Sequence, residues 1–194
     1  MKKKTLILLV GVIVLLVLWA VSGYNGMVNS EVTVDQEWSN VETQYQRRND
    51  LIGNLVATVK GYAEHEKTTL SEVIAARAAA TQTTINAQDL TPEKMQQFQQ
   101  VQGELSSALG RLLVSVERYP ELKANQNFLE LQSQLEGTEN RIQVARQRYN
   151  ETAGVYNKKI RRFPNNILAG IFGFNKKPFF DADPEASKAP KVEF

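Results

Sequence analysis

The sequence predicts an all-α protein: an N-terminal transmembrane helix followed by an antiparallel bundle of about four long helices. Three observations predict it. The run from Thr5 to Val21, TLILLVGVIVLLVLWAV, is apolar and free of charge. Two stretches, Met27–Tyr62 and Phe128–Lys159, repeat apolar residues in the three-then-four rhythm of a heptad seam. No alternating polar and apolar run of useful length competes, so strands are not expected.

The apolar run reaches Ser22 and Gly23 before polarity returns. It sits at the short end of what crosses a hydrocarbon core of about 30 Å, and beyond the 7–15 residues usual for a signal-peptide core. Trp19 and Tyr24 lie at its C-terminal end, where amphipathic rings favour the headgroup level. Ala20 and Ser22 also fit the small positions of a cleavage site before Gly23, so a cleaved signal peptide is the rival. Span length favours the uncleaved anchor. Lys2, Lys3 and Lys4 precede the run, and no basic residue follows it until Arg47. The positive-inside rule then keeps the N-terminus in the cytoplasm and exports the bundle.

The first bundle helix, Met27–Tyr62, places Trp38, Tyr45, Ile52 and Val59 at one seam position. Met27, Val34, Val41, Arg48, Leu55 and Tyr62 occupy the other. Gly61 and the polar run Glu64-His65-Glu66-Lys67 signal a bend. The second helix, Thr68–Ala80, offers Leu70, Val73, Ile74 and Ala78, and Thr81–Asp89 reads as a loop. Thr91 as N-cap, Pro92 at the first helical position and Glu93 open the third helix. Its apolar face is Met95, Phe98, Val101, Leu105, Ala108, Leu109, Leu112 and Val116, and Tyr119-Pro120 ends it. In the fourth helix Phe128, Leu135, Ile142, Tyr149 and Tyr156 alternate with Leu131, Thr138, Ala145, Thr152 and Lys159. The short link at Tyr119-Pro120-Glu121 makes the third and fourth helices antiparallel neighbours. Phe163-Pro164 stops the last helix. Asn165–Phe174 is apolar and glycine-spaced without helical charge balance, and Asp181–Phe194 reads as a flexible tail. The expected parts are a stub and span over residues 1–23, a bundle over 24–165, and an apolar, aromatic segment with the tail over 166–194.

Composition narrows the function. Three of the 23 basic side chains precede the span, and the rest of the chain, with 21 acidic ones, is close to neutral. It offers no field for nucleic acid. There is no cysteine, so disulfides, thiolate catalysis and zinc–thiolate sites are excluded. His65 is the one histidine, too few for a hydrolytic triad or a two-histidine zinc helix. Glu64, His65 and Glu66 read as solvated helix-end charges. Asp181, Asp183 and Glu185 alternate like calcium ligands but lack the loop's glycine and bidentate glutamate. Gly170-Ile171-Phe172-Gly173 copies the GxxG of KH domains without framing strands or a basic patch. No catalytic, metal or cofactor residue is expected, and the chain does not read as an enzyme.

Two features remain as interface candidates. Arg48 lies on the seam, where a cation must find a partner or reach water. Glu42, Asp50 or acids of the fourth helix can serve within the chain, and a partner subunit is the alternative. Phe172, Phe174, Phe179 and Phe180 cluster near the C-terminus. They either fold back on the bundle or form an exposed patch for self-assembly or membrane contact.

Several blocks together resemble the LemA family. They include Tyr24-Asn25, Trp38, Gln44-Tyr45-Gln46-Arg47-Arg48, Asp50-Leu51-Ile52-Gly53-Asn54-Leu55-Val56 and Val59-Lys60-Gly61-Tyr62-Ala63-Glu64-His65-Glu66. Arg118 to Asn125, Phe128-Leu129, Thr138 to Ile142, Ala145-Arg146, Tyr149-Asn150, Tyr156-Asn157, Arg162 to Asn166 and Phe172-Gly173-Phe174 continue the match. The resemblance covers essentially the whole chain. It implies a bacterial protein with one N-terminal span, an antiparallel helical domain and a part in membrane organisation. It also implies an N-terminus outside the cell, opposite to the orientation the lysines give. Gly53 stands where the family usually carries proline, which exchanges an expected kink for a looser hinge.

The expectation is therefore a non-enzymatic, membrane-anchored helical scaffold in the bacterial inner membrane, with its bundle on the non-cytoplasmic side. Its partners would be lipid along residues 5–23, further copies of itself in a homo-oligomer, and a membrane or envelope protein; no nucleic acid or cofactor is expected. The alternative is a tethered adaptor that recruits a separate protein, such as a protease or signalling component.

Overall fold

A computed structural model describes residues 2–61 and 67–181. Six helices account for most of them, and no strand occurs among the described residues. The first, α1, runs unbroken from Lys2 to Lys60. Span and first bundle helix are thus one rod, close to 90 Å long at about 1.5 Å per residue. Nothing between Ser22 and Met27 can stop a helix: Gly23 and Gly26 each cost about 1 kcal/mol relative to alanine, but there is no proline and no competing cap. Large side chains from Leu6 to Val21 are exposed, and from Met27 onward one stripe is buried. Residue 23 therefore marks a change of surface and not a joint.

The other helices are α2 (Lys67–Gln82), α3 (Pro92–Val116), α4 (Pro120–Lys123), α5 (Gln126–Arg161) and α6 (Asn165–Phe172). Thr91 caps α3 by accepting the Lys94 amide, and Asn125 caps α5 by accepting the Phe128 amide. Glu93 in the first turn of α3 is held below the ordinary carboxylate pKa, by its own backbone amide first and then by Thr91. Contacts fix the directions. Along α1 from Gly53 down to Gly26, Asn49 and Gly53 meet Arg77 of α2, and Arg48 meets Gln102 of α3 and Glu139 of α5. Lower still, Trp38 meets Phe98 and Tyr149, and Gly26 meets Lys159. Hence α2 and α5 run antiparallel to α1, and α3 runs parallel to it.

The closest backbone approaches are α5 along α1 and α2 along α3. The two helices joined at Tyr119-Pro120, α3 and α5, run antiparallel as expected and meet through Arg48 and Trp38, but their backbones lie less close than those two pairs. Pro120–Lys123 forms the short α4, whose Leu122 is buried in the core between these helices' ends. In α2 the buried face is Leu70, Val73 and Ala80, while Ile74 is 42% exposed, so the face expected through Ile74 is rotated. Arg77 explains the rotation: its Nε donates to the Asn49 carbonyl at 2.7 Å. Gly53 is not a hinge, because α1 is helical straight through it. A Cβ there would stand 3.0 Å from the Arg77 Nη2, so the bare backbone makes room for the guanidinium.

The seam of α1 is buried as expected at every described position. In α5 the second seam position drifts. Thr138 and Ala145 are buried, but below them Ala153 and Ile160 replace Thr152 and Lys159. A straight helix of 3.6 residues per turn outruns a 3.5-residue repeat, and one four-residue step resets it.

The core is divided. A membrane-proximal cluster gathers Met27, Val34, Trp38, Tyr45, Phe98, Ile142, Tyr149 and Tyr156. A distal cluster gathers Ile52, Leu55, Val73, Leu105, Leu112 and Leu135. The change falls at one height on three helices: at Arg48 on α1, Gln102 on α3 and Glu139 on α5.

Asn165–Phe172 is helical, which the sequence did not announce. Gly173 ends α6 in the left-handed conformation at φ 76°, and its amide bonds Ala169 O. The GxxG tetrapeptide is therefore a helix end and not a nucleic-acid loop. Tyr62 and the Glu64-His65-Glu66 group lie outside the described residues, as do Asp183, Glu185 and the tail beyond Asp181.

Candidate functional site

Arg48 is 2% exposed and closes the gap between the two core clusters. Its Nη1 donates to Ser106 Oγ at 2.9 Å and to Glu139 Oε1 at 3.0 Å. Its Nη2 donates to the Gln102 side-chain oxygen and backbone carbonyl. The guanidinium also stands 5.0 Å from the Tyr45 ring centroid. Burial is the main force raising the Tyr45 phenol pKa, with the Arg146 and Arg48 charges opposing it. Of the acids considered for Arg48, the one on the last long helix serves.

A second buried cation was missed. Lys177, 7% exposed, lies on an extended strap after α6. Its ammonium reaches Asp35 at 3.1 Å, Glu31 at 3.4 Å and the Ala87 carbonyl at 3.2 Å. The strap has no sheet partner, so α5 satisfies its backbone. Asn157 accepts the Lys177 amide and donates to its carbonyl. Asn150 does the same for Phe180. Tyr149 donates to the Pro178 carbonyl at 3.0 Å. Arg146 donates to the Asp181 carbonyl and stacks over the Phe180 ring. The signal for this clasp was in the sequence: Tyr149-Asn150 recurs as Tyr156-Asn157 seven residues on, one heptad, on one face.

The four phenylalanines do not form one patch. Phe180 is buried, 5.8 Å from Trp38 and 5.5 Å from Tyr149 between ring centroids. Phe174 is half-buried beside Tyr24. Phe172 meets Tyr24 edge-on at 4.9 Å but is 55% exposed, and Phe179 is 48% exposed. Arg48 and Phe180 are thus enclosed by their own chain, and only Phe172 and Phe179 keep large free surfaces.

The remaining chemistry is sparse. No group of three or more histidine, aspartate or glutamate side chains that could hold a metal occurs among the described residues. An open groove of about 450 Å³ between α1 and α5 is lined by Glu37, Asn40, Gln44, Arg141, Val144 and Arg148. Most of these side chains are solvated, although the Gln44 Oε1 is buried without a partner among the described residues, and the lining holds no nucleophile–base pair. Burial first, then the negative charge of Asp35, raises the Tyr149 phenol pKa far above its ordinary value. Tyr156 is raised by burial, then by Glu31 and Asp35. Both phenols stay protonated, and Tyr149 is the donor to the Pro178 carbonyl.

The features that organise this chain are therefore the helical rod, the polar layer and the strap. The sequence profile of the LemA family matches residues 37–194, which takes in the polar layer, the strap and the rod from residue 37 onward. The chain belongs to the LemA family. Among curated LemA-like relatives it is similar to Magnetosome protein MamQ 2 of Paramagnetospirillum magneticum, 28% identical over 178 residues, covering 83% of this chain and 65% of that one. Magnetosome protein MamQ of Magnetospirillum gryphiswaldense is 27% identical with the same coverage. Protein LemA of Metamycoplasma hominis is 23% identical over 145 residues, covering 75% of this chain and 63% of that one. The chain thus spans a little under two thirds of the length of these relatives. With a LemA fold and an apolar N-terminal helix long enough to cross a membrane, the protein is a membrane-associated helical protein.

Proposed function

We propose that the protein is a non-enzymatic scaffold anchored by a single pass in the bacterial inner membrane, and that copies associate laterally to organise that membrane. The observation that carries this reading is the continuity of α1. A flexible linker would let a tethered domain sample all orientations. Here the helix that enters the lipid is also the central rod of the bundle, with Met27, Val34 and Trp38 wholly buried a few turns beyond it. The domain is held at fixed height and tilt above the bilayer. Fixed orientation and two-dimensional confinement both raise the effective concentration of one copy for another. Two of the relatives are named magnetosome proteins, which supports a part in organising a larger assembly. Lys2, Lys3 and Lys4 support a bundle on the non-cytoplasmic side.

Chemical cross-linking in native membranes tests it. Multiples of the 21.8 kDa monomer are expected at native expression. A purely monomeric pattern sinks the scaffold. A cross-link to one foreign protein in place of the ladder makes the protein an adaptor instead.

A further inference from the structure

We propose that α6 is a second membrane contact: an interfacial helix that lies on the bilayer beside the span, under a collar of basic side chains that binds anionic phospholipid headgroups. The inference rests on the reading of the first part of α1 as a membrane span.

Position is the first argument. Leu168 Cδ1 lies 3.0 Å from where a Cβ on Gly23 would be, and Asn165 Oδ1 lies 3.5 Å from it. Tyr24 packs on Phe172 and Phe174. Hence α6 crosses α1 at residues 23–24, where the apolar run ends. The apolar surface of the span passes directly onto α6.

Composition is the second. Past Asn165 and Asn166, α6 has no polar side chain. Leu168 and Ala169 are buried against the bundle. The outward face is Ile167 at 52%, Ile171 at 69% and Phe172 at 55% exposure, with Phe163 at 77% just before the helix. A helix that is apolar all round belongs in a core or in lipid. No part of the described chain covers this face, and the adjoining lipid-facing surface names the occupant.

Charge is the third. Lys158, Arg161 and Arg162 at the end of α5 and Lys176 just after α6 are exposed around this helix. No acidic residue stands between Thr152 and Phe180, or anywhere before Glu31. Glu31 and Asp35, the first acids of α1, are paired with Lys177. Cations with no acidic partner among the described residues, at headgroup height, beside an apolar face, match an anionic lipid surface.

The chain has no cysteine, so a single introduced one gives a unique label site. Full-length Ile167→Cys and Ile171→Cys, carrying an environment-sensitive fluorophore, are reconstituted in phosphatidylcholine vesicles with and without phosphatidylglycerol. Nitroxide-bearing lipids, shallow or deep, serve as quenchers. Val12→Cys reports the span, and Val114→Cys, on the exposed face of α3, reports water. The expected result is blue-shifted emission and shallow-lipid quenching at 167 and 171, deep-lipid quenching at 12, and neither at 114. Phosphatidylglycerol is expected to strengthen the quenching at 167 and 171. The triple variant Arg161→Gln, Arg162→Gln, Lys176→Gln is expected to remove that gain, as is high salt. If 167 and 171 behave like 114 while 12 is quenched, α6 is not at the membrane and the proposal falls alone. Blue-shifted labels that no lipid quenches mean a protein cover, which also overturns it. Equal quenching with and without phosphatidylglycerol overturns the headgroup collar. An unquenched label at 12 overturns the membrane span itself, and this proposal with it.

Discussion

Replacing Arg48 by alanine and by methionine separates two roles that a buried cation can play. Arg48 is 2% exposed, and its guanidinium bonds Ser106, Gln102 and Glu139 across three helices. Truncation to alanine removes all of these and leaves an arginine-sized void. Breaking a buried ion pair from one side costs about 3–5 kcal/mol. Glu139 is 40% exposed and can turn to water, which places Arg48→Ala near the lower end, at about 3 kcal/mol. Methionine keeps most of the stem volume and drops the charge. The guanidinium Nε has no acceptor among the described residues, so its desolvation is only partly repaid. Apolar replacement of such a group is often neutral or stabilising, and Arg48→Met should lie within about 1.5 kcal/mol of the parent. The charge would then set which layers of α1, α3 and α5 face one another, while packing supplies the stability.

The assay is urea unfolding in detergent micelles, followed by Trp38 fluorescence in a Trp19→Phe background. With a slope of about 2–3 kcal/mol per molar, the alanine variant should unfold about 1–1.5 M earlier. The methionine variant should unfold near the parent midpoint. If methionine costs as much as alanine, the ion pair itself carries the energy and the reasoning is wrong. If alanine costs under about 1 kcal/mol, the layer is not closed as described.

Asn150→Ala removes both backbone bonds of Phe180 and should cost about 1–3 kcal/mol, with faster hydrogen exchange confined first to residues 177–181. Phe180→Ala should cost about 3–5 kcal/mol by the same unfolding assay, because its ring fills the space between Trp38, Phe98 and Tyr149. The raised phenol pKa values of Tyr149 and Tyr156 favour the protonated folded state, whereas the unfolded tyrosines ionise near pH 10. That contribution is whole below about pH 10 and is lost as pH rises above it, by up to about 1.4 kcal/mol per pH unit for each tyrosine. Unfolding midpoints measured on the alkaline side should show it, and Tyr149→Phe should flatten the decline. Protease treatment of spheroplasts should digest the bundle, and the intact mass of the mature protein should include the span; a start at Gly23 would end the anchor reading.

The long elements were legible because their signals are periodic or local. The seams of α1 and α5 follow from apolar spacing, and the start of α3 from Thr91-Pro92-Glu93. What escaped depends on tertiary context. Ile74 and Ala78 looked like core residues, and Ala80 only like the helix's end, until Arg77, reaching over Gly53, set the rotation of α2. The strap carries no periodicity, since its hydrogen bonds run to amide side chains of α5 and not to a neighbouring strand. Lys176 and Lys177 are adjacent and chemically identical, yet only Lys177 points at Glu31 and Asp35. The helix α6 was hidden by its length of eight residues, its Gly170 and its lack of charged side chains, which leave neither a long period nor a charge balance to read.

The two basic groups of the chain bear on orientation in different ways. By position in sequence, charge lies on one side of the span only, at Lys2, Lys3 and Lys4. In the folded chain the opposite side also becomes basic, because α5 returns antiparallel to α1 and delivers Lys158, Arg161 and Arg162 to the height of Gly23. The positive-inside rule acts on charges close to the span in sequence at the time of insertion. The collar stands more than a hundred residues from the span and arrives there only once α5 has folded back along α1. It therefore cannot oppose the three lysines during insertion. After folding it adds its own attraction to the lipid surface on the bundle's side. The same antiparallel return that buries Tyr149 and Tyr156 against Trp38 thus gives the anchored rod a second foothold beside its first.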